Sequence, residues 1–378
     1  MAAVSTLQQS LLFSLSLCLT AARSQSSAVA AFTTSPHHYY THHHNNNIIH
    51  HPRNRNLRNF CVVNMAKKKS GGGDSGQDNI GTGGVMMILS PAKTLDLTPF
   101  SAPDSDSFPQ SLSAPNCDVA KTKVVALAMK ARSKKDLEKL LGISANLAAK
   151  SHQYWNDFDT PGSLDKPAIY AFSGAAYQGL DVSTCSGAAV HYIQQNLRII
   201  DPLYGSLRPL DSIQPYRLEM ATKKALDANT MSGCKDLANW WKPAVTLSIS
   251  EDLQNREEKI LINVASDEYS AAVDASLLPD GSRYIKIVFR QEGKVIAVHA
   301  KKARGMMVRY LAENNIQDVD GIRQFDMEGY QLVESDSSDD IIIFDRPKQA
   351  AAAAAKKKKK PATNKKADGP KKKRARST

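Results

Sequence analysis

Between residues 85 and 346 the chain alternates short apolar runs with polar or glycine-rich breaks. Val85–Leu89, Ala168–Phe172 and Lys259–Ala265 read as buried strands, because brief, mostly apolar runs bounded by turn formers match strands covered on both faces. Arg283–Arg290 and Lys294–Ala300 flank Glu292-Gly293 and predict an antiparallel hairpin. Ile341–Phe344 predicts a last strand after the acidic turn Ser335–Asp340. Helical spacing of apolar residues appears in Lys134–Leu140, Ser144–Trp155, Ala188–Ile200, Lys235–Glu257 and Met306–Asn314, while Leu97–Asp118 is a Pro- and Ser-rich loop. The pattern predicts a mixed α/β (α+β) fold: a single compact domain with a mixed sheet, flanking helices and a helix-hairpin-helix-like insertion.

Ligands of α/β proteins gather at the C-terminal ends of strands, so the residues delivered there carry the first functional expectations. The first run ends in Ser90-Pro91-Ala92-Lys93-Thr94, which makes Lys93 either an anion-binding residue or an ordinary solvated lysine. Ser173 to Gly179 follow the second run; their small side chains allow close backbone approach, without the spacing of a phosphate loop. The third delivers Asp267 and Glu268, two carboxylates that suit a catalytic acid–base pair or a cation, or else cap the next helix. Lys301, Lys302 and Arg304 precede the expected helix at Met306, where three cations oppose the macrodipole and call for an anionic partner. Leu141-Gly142-Ile143, with Ser144 as N-cap, resembles the turn of a helix-hairpin-helix module, which holds a DNA phosphate on backbone N–H groups. Lys134, Lys135, Lys139 and Lys150 would add screening charge, although the same turn joins helices in many proteins that never meet nucleic acid.

The segment Asp201–Met220, DPLYGSLRPLDSIQPYRLEM, is punctuated by three prolines and Gly205, so it runs as turns and short extended pieces. Arg208, Tyr216 and Arg217 are costly side chains for a linker and make a rigid anion-holding set. The plainer alternative is that Arg208 and Arg217 pair with Asp211 and Glu219. The motifs LYGSLRPLD and QPYRLEM, together with SPAKTLD at Ser90, NVASDEY at Asn263 and KKARGMMVRY at Lys301, occur in the order that resembles the YaaA family of peroxide-stress proteins. That resemblance spans residues 85–346. It implies a compact mixed α/β domain, a role in limiting hydrogen-peroxide damage by lowering reactive iron, and an affinity for DNA.

Charge changes this picture through its location. The chain has 378 residues and a formal net charge of +12. Residues 1–73 contribute +7 and residues 356–378 contribute +11, which leaves the intervening chain at −6. Any DNA contact in the domain therefore needs a local patch and not the overall field. Residues 1–66 are rich in Ser, Ala, Asn and His, lack acids and contain four arginines, the composition of a transit segment, with the chloroplast as destination. Residues 67–84 form a flexible linker, residues 85–346 the domain, and residues 347–378 a disordered Lys-rich tail similar to a nuclear-localisation signal. A form starting at Met65 would reach the nucleus or cytosol.

No cofactor, metal centre or membrane contact is expected. Cys117, Cys185 and Cys234 are scattered, and the domain's histidines, His152, His191 and His299, have no ligand-like spacing. Two functions remain open. One is a stress protein whose cationic groove, built from Lys93, Arg208, Arg217, Lys301, Lys302 and Arg304, holds double-stranded DNA. The other is an enzyme that clamps a small phosphorylated or otherwise anionic ligand with the same cations and uses Asp267 or Glu268.

Overall fold

The computed structural model describes residues 85–101, 113–115 and 117–348. The expected transit segment, the linker and nearly all of the tail lie outside these residues. The strands are β1 (Val85–Leu89), β2 (Lys166–Pro167), β3 (Leu197–Asp201), β4 (Gly205–Leu207), β5 (Ser212–Ile213), β6 (Ile260–Asn263), β7 (Arg283–Gln291), β8 (Gln331–Leu332) and β9 (Ile341–Arg346). The helices are α1 (Val119–Lys130), α2 (Lys134–Leu141), α3 (Ala145–Asp157), α4 (Ala168–Ala171), α5 (Ala175–Leu180), α6 (Gly187–Asn196), α7 (Ala228–Met231), α8 (Leu237–Gln254), α9 (Asp267–Ser270), α10 (Ala297–Glu313) and α11 (Val319–Arg323).

Seven strands form one mixed sheet in the order β4-β3-β1-β6-β7-β9-β8. Its five inner strands are parallel, and an antiparallel strand closes each edge. Every residue of β1, β3 and β6 is buried, including the polar Arg198, Asp201 and Asn263, as strands covered on both faces must be. Met87 of β1 is paired with Leu197 on one side and Ile262 on the other, so β1 lies at the middle of the hydrogen-bonded core. β2 and β5 form a separate antiparallel pair.

Helices α5 and α10 meet backbone to backbone. A Cβ on Gly305 would lie 1.7 Å from the Ala176 carbonyl oxygen, and one on Gly179 would lie 2.1 Å from that of Lys302. Only glycine at both positions permits this contact, and the contact presses the cationic segment of α10 against the backbone of α5.

Three expectations are corrected. Ala168–Phe172 contains the single helical turn α4 and not a strand; the Ala168 N–H donates to the Asp211 carbonyl and that of Phe172 to the Ala168 carbonyl. A five-residue apolar run has no periodicity that separates strand from buried helix. The hairpin after β7 is limited to one antiparallel bridge, Gln291 with Lys294, and has no second strand. Glu292 and Gly293 make a tight left-handed turn, after which the chain enters α10 at Ala297, while β7 pairs in parallel with β6 and β9. Lys301, Lys302 and Arg304 consequently lie beyond the first turn of a 17-residue helix, so the expected conflict with the dipole at its start does not arise. Finally, the helix drawn to Ile200 stops at Asn196, where Leu197 turns extended and opens β3 without a loop.

Candidate functional site

The ends of β1 and β6 open onto a cavity of about 290 Å³. Its walls come from the segment Ser90–Thr94 after β1, from Ser173–Tyr177 at the start of α5, from Ser266, Glu268 and Tyr269 after β6, and from Lys301 and Arg304 of α10. Hydrogen bonds tie these walls together. The Ser266 N–H donates to Ser90 Oγ at 2.9 Å, the two hydroxyl oxygens are 3.2 Å apart, and the Tyr177 hydroxyl donates to the Ser90 carbonyl at 3.1 Å. Gly174 matters here because a Cβ would come 3.0 Å from the Ala92 Cβ and crowd the opening.

The cations of this site are not equivalent. Lys93 is half-exposed and pairs with Glu219 at 2.7 Å. Arg217 donates through Nη1 to the Lys93 carbonyl at 3.2 Å, which fixes the backbone of the β1 segment, and its buried Nε has no partner. Arg304 shares this feature and, unlike Arg217, lines the cavity itself. Its Nε is buried without a hydrogen-bond partner, and burial pulls the guanidinium below its ordinary pKa, an effect only partly offset by the charge of Asp267. A buried guanidinium N–H without an acceptor is costly and is relieved when an anion arrives. Lys301 lies three residues before Arg304 on the same helical face and is exposed.

Asp201 ends β3 in full burial. Its carboxylate accepts from the N–H groups of Leu203 at 2.8 Å and Tyr204 at 2.9 Å and from the Tyr216 hydroxyl. Burial pushes its pKa up to about 6 against these hydrogen bonds, and its charge helps to raise those of Tyr177 and Tyr269, the aromatic residues lining the cavity. Tyr216 is thus a buried structural donor and not an anion contact.

The remaining expected residues separate from this cavity. Arg208 lines a different one of about 460 Å³, between β3, β4, α1 and α8, which shares no residue with the first. There Asp252 takes both Arg198, at 2.6 Å, and Arg208, at 3.6 Å. The neighbouring Asp211 binds the Arg208 backbone N–H at 2.8 Å instead of its guanidinium, and Glu219 is taken by Lys93 and not by Arg217. Lys302 points to Glu328, which also receives Arg346 at 3.0 Å; burial would raise that carboxyl, and the two cations hold it low. One continuous groove of six cations is therefore absent from the described residues. Asp267 and Glu268 face different ways. Asp267 is 81% exposed and binds Lys286 at 2.7 Å, whereas Glu268 lines the cavity and accepts the Ala221 N–H at 3.1 Å.

The helix pair is as drawn in outline. Gly142 ends α2 in the left-handed region at φ 59°, and the Ser144 hydroxyl caps α3 by accepting from the Leu147 N–H at 3.4 Å. Lys134, Lys135, Lys139 and Lys150 are exposed, while Leu141 packs against the core and Ile143 donates its N–H to the Glu138 carbonyl. Sequence reasoning did not assign Ser90, Ser266, Tyr177 and Tyr269 to the site. Their signal was position alone, since each sits within a few residues of an expected strand end or small-residue loop.

Among the described residues no group of three or more His, Cys, Asp or Glu side chains is arranged to hold a metal, and no helix is long and apolar enough to cross a membrane. Burial pushes the thiols of Cys117 and Cys185 up to about 11, so both are protonated at neutral pH.

Comparison with known proteins agrees with the motifs. Residues 85–336 match the family model described as peroxide stress protein YaaA. A UPF0246 protein of Chromobacterium violaceum is 39% identical over 270 residues, covering 69% of this chain and 99% of its own length. A UPF0246 protein of Francisella tularensis subsp. novicida is 34% identical over 272 residues, and one of Clostridium perfringens 36% over 267, each covering 69% of this chain and all of the relative. The family match takes in the whole of the strand-end cavity, and with it the chain belongs to the YaaA family of peroxide-stress proteins.

Proposed function

We propose that this peroxide-stress protein acts by binding a small phosphate-bearing anion in the strand-end cavity. The observation that carries the reading is Arg304, which lines the strand-end cavity with Lys301 and Lys93 and has a buried, unpartnered Nε. The cavity's volume suits a metabolite and not a duplex. In this reading Arg304 and Lys301 hold the phosphate, Arg217 and Glu219 position the Lys93 segment, and Asp267 has no part in binding. Equilibrium titration of the full chain with phosphate monoesters tests it: saturable binding that Arg304→Ala removes is expected, and binding indifferent to that substitution would refute it.

Double-stranded DNA is a second reading, favoured by the Gly142 turn, the N-terminal amides of α3 and the four exposed lysines around them. Here the contact is by the helix pair and not by Arg208, which Asp252 already engages. Salt-dependent duplex binding that Lys134→Ala with Lys135→Ala weakens would support it; a duplex affinity unchanged by that pair would remove it. Delivery to the chloroplast by residues 1–66 remains part of the proposal, tested by the location of a fluorescent fusion with and without that segment.

A further inference from the structure

The strand-end cavity holds one group that a site for a bare anion would not: the Glu268 carboxylate, which lines it from the segment after β6 while Arg304 and Lys301 line it from α10. Its Oε1 accepts the Ala221 N–H, and its second oxygen accepts nothing among the described residues. Resting on the phosphate reading above, we infer that the ligand is a sugar phosphate with vicinal hydroxyls, either free or as the ribose 5′-phosphate of a nucleotide.

A carboxylate in the lining of the same cavity repels a bare phosphate and needs hydrogen-bond donors of its own. An ammonium donor would meet repulsion from Lys301 and Arg304. Neutral hydroxyls meet none, and charge-assisted O–H donation to a carboxylate is among the stronger hydrogen bonds. The remaining polar lining fits the same partner, since the Ser90, Thr94, Ser173 and Ser266 hydroxyls both donate and accept. The interior nucleotides of a DNA strand lack this chemistry: the 2′-hydroxyl is absent and the 3′ and 5′ oxygens are esterified. The cavity would thus discriminate against a DNA backbone.

The test is calorimetric titration of the full chain with ribose 5-phosphate, adenosine 5′-monophosphate, its 2′-deoxy analogue and inorganic phosphate. Wild-type protein is expected to bind ribose 5-phosphate or the ribonucleotide at least about tenfold more tightly than inorganic phosphate, and to prefer the ribonucleotide over its deoxy analogue. This comparison needs no variant and so stands apart from folding effects. Glu268→Gln should weaken sugar-phosphate binding by about fivefold or more while strengthening that of inorganic phosphate. Preference for the free sugar or for the nucleotide identifies the source, and either outcome supports the inference. It is overturned if inorganic phosphate binds as tightly as ribose 5-phosphate, or if Glu268→Gln leaves their ratio unchanged. If no phosphate compound binds in a way that Arg304→Ala alters, the phosphate reading itself fails and this inference falls with it.

Discussion

Arg304 and Arg208 carry the same guanidinium and were expected in the same groove, yet their surroundings make them different chemical groups. Arg208 is 48% exposed, and the carboxylate it approaches, Asp252, is already bound by Arg198 at 2.6 Å. Solvent and an acidic neighbour leave it little to gain from another anion. Arg304 is enclosed by α5 and the β1 segment with an Nε that meets no acceptor. Counting cations along a sequence treats the two alike. What separates them is whether the fold has already spent each charge.

The sharpest way to break this contrast is to move Arg304 and not to remove it. Gly305→Ala places a methyl 1.7 Å from the Ala176 carbonyl oxygen and must force α10 away from α5. Such overpacking costs about 1–3 kcal/mol or more, read as a lower midpoint in denaturant unfolding, and anion affinity should fall with it. The counterpart near Arg208 is Gly205, where a Cβ would come 2.7 Å from the Trp241 ring and 3.0 Å from Cys117 Sγ; Gly205→Ala should cost stability as well but leave the anion affinity of the folded protein unchanged.

A smaller effect probes Asp201, a buried carboxylate whose charge acts on the cavity's tyrosines. Asp201 has a folded pKa of about 6 against an ordinary value of 3.8. Between those values the folded protein binds a proton that the unfolded chain has released, so stability falls as pH rises from about 4 through 6 and then levels off. The loss is at most on the order of 3 kcal/mol. Asp201→Asn, which keeps the shape and removes the charge, should flatten that slope in unfolding measured from pH 4 to 8.

The smallest effect belongs to the helix pair. If α2 and α3 touch DNA, neutralising Lys134 and Lys135 should lower the salt dependence of duplex binding by roughly two phosphate contacts, a change of about 1.8 in the log–log slope. Arg304→Ala should leave that slope unaltered, which keeps the two regions distinct.

Much of the fold was legible because β1 and the starts of β6 and β9 are apolar runs and α2, α3 and α8 have helical spacing with polar N-caps at Ser133, Ser144 and Asp236. What was illegible had physical causes. Ala168–Ala171 is too short for a period, and Leu197–Asp201 follows its helix without any breaker. Val295, Ile296 and Val298 look like a strand by composition but form the exposed entry to α10. At the site, Lys93 and Arg304 were identified from their position at strand and motif ends. The pairing of Glu219 with Lys93, of Lys302 with Glu328 and of Asp252 with Arg208 joins residues far apart in the chain, and no local pattern announces it.

The most direct test of the central claim is a parallel titration of the full chain, Arg304→Ala and Arg208→Ala with the same phosphate monoester, monitored by calorimetry at one salt concentration. The expected result is a loss of at least about tenfold in affinity for Arg304→Ala and a change within about twofold for Arg208→Ala. Equal losses in the two variants, or a loss confined to Arg208→Ala, would contradict the assignment of the anion site to the strand-end cavity.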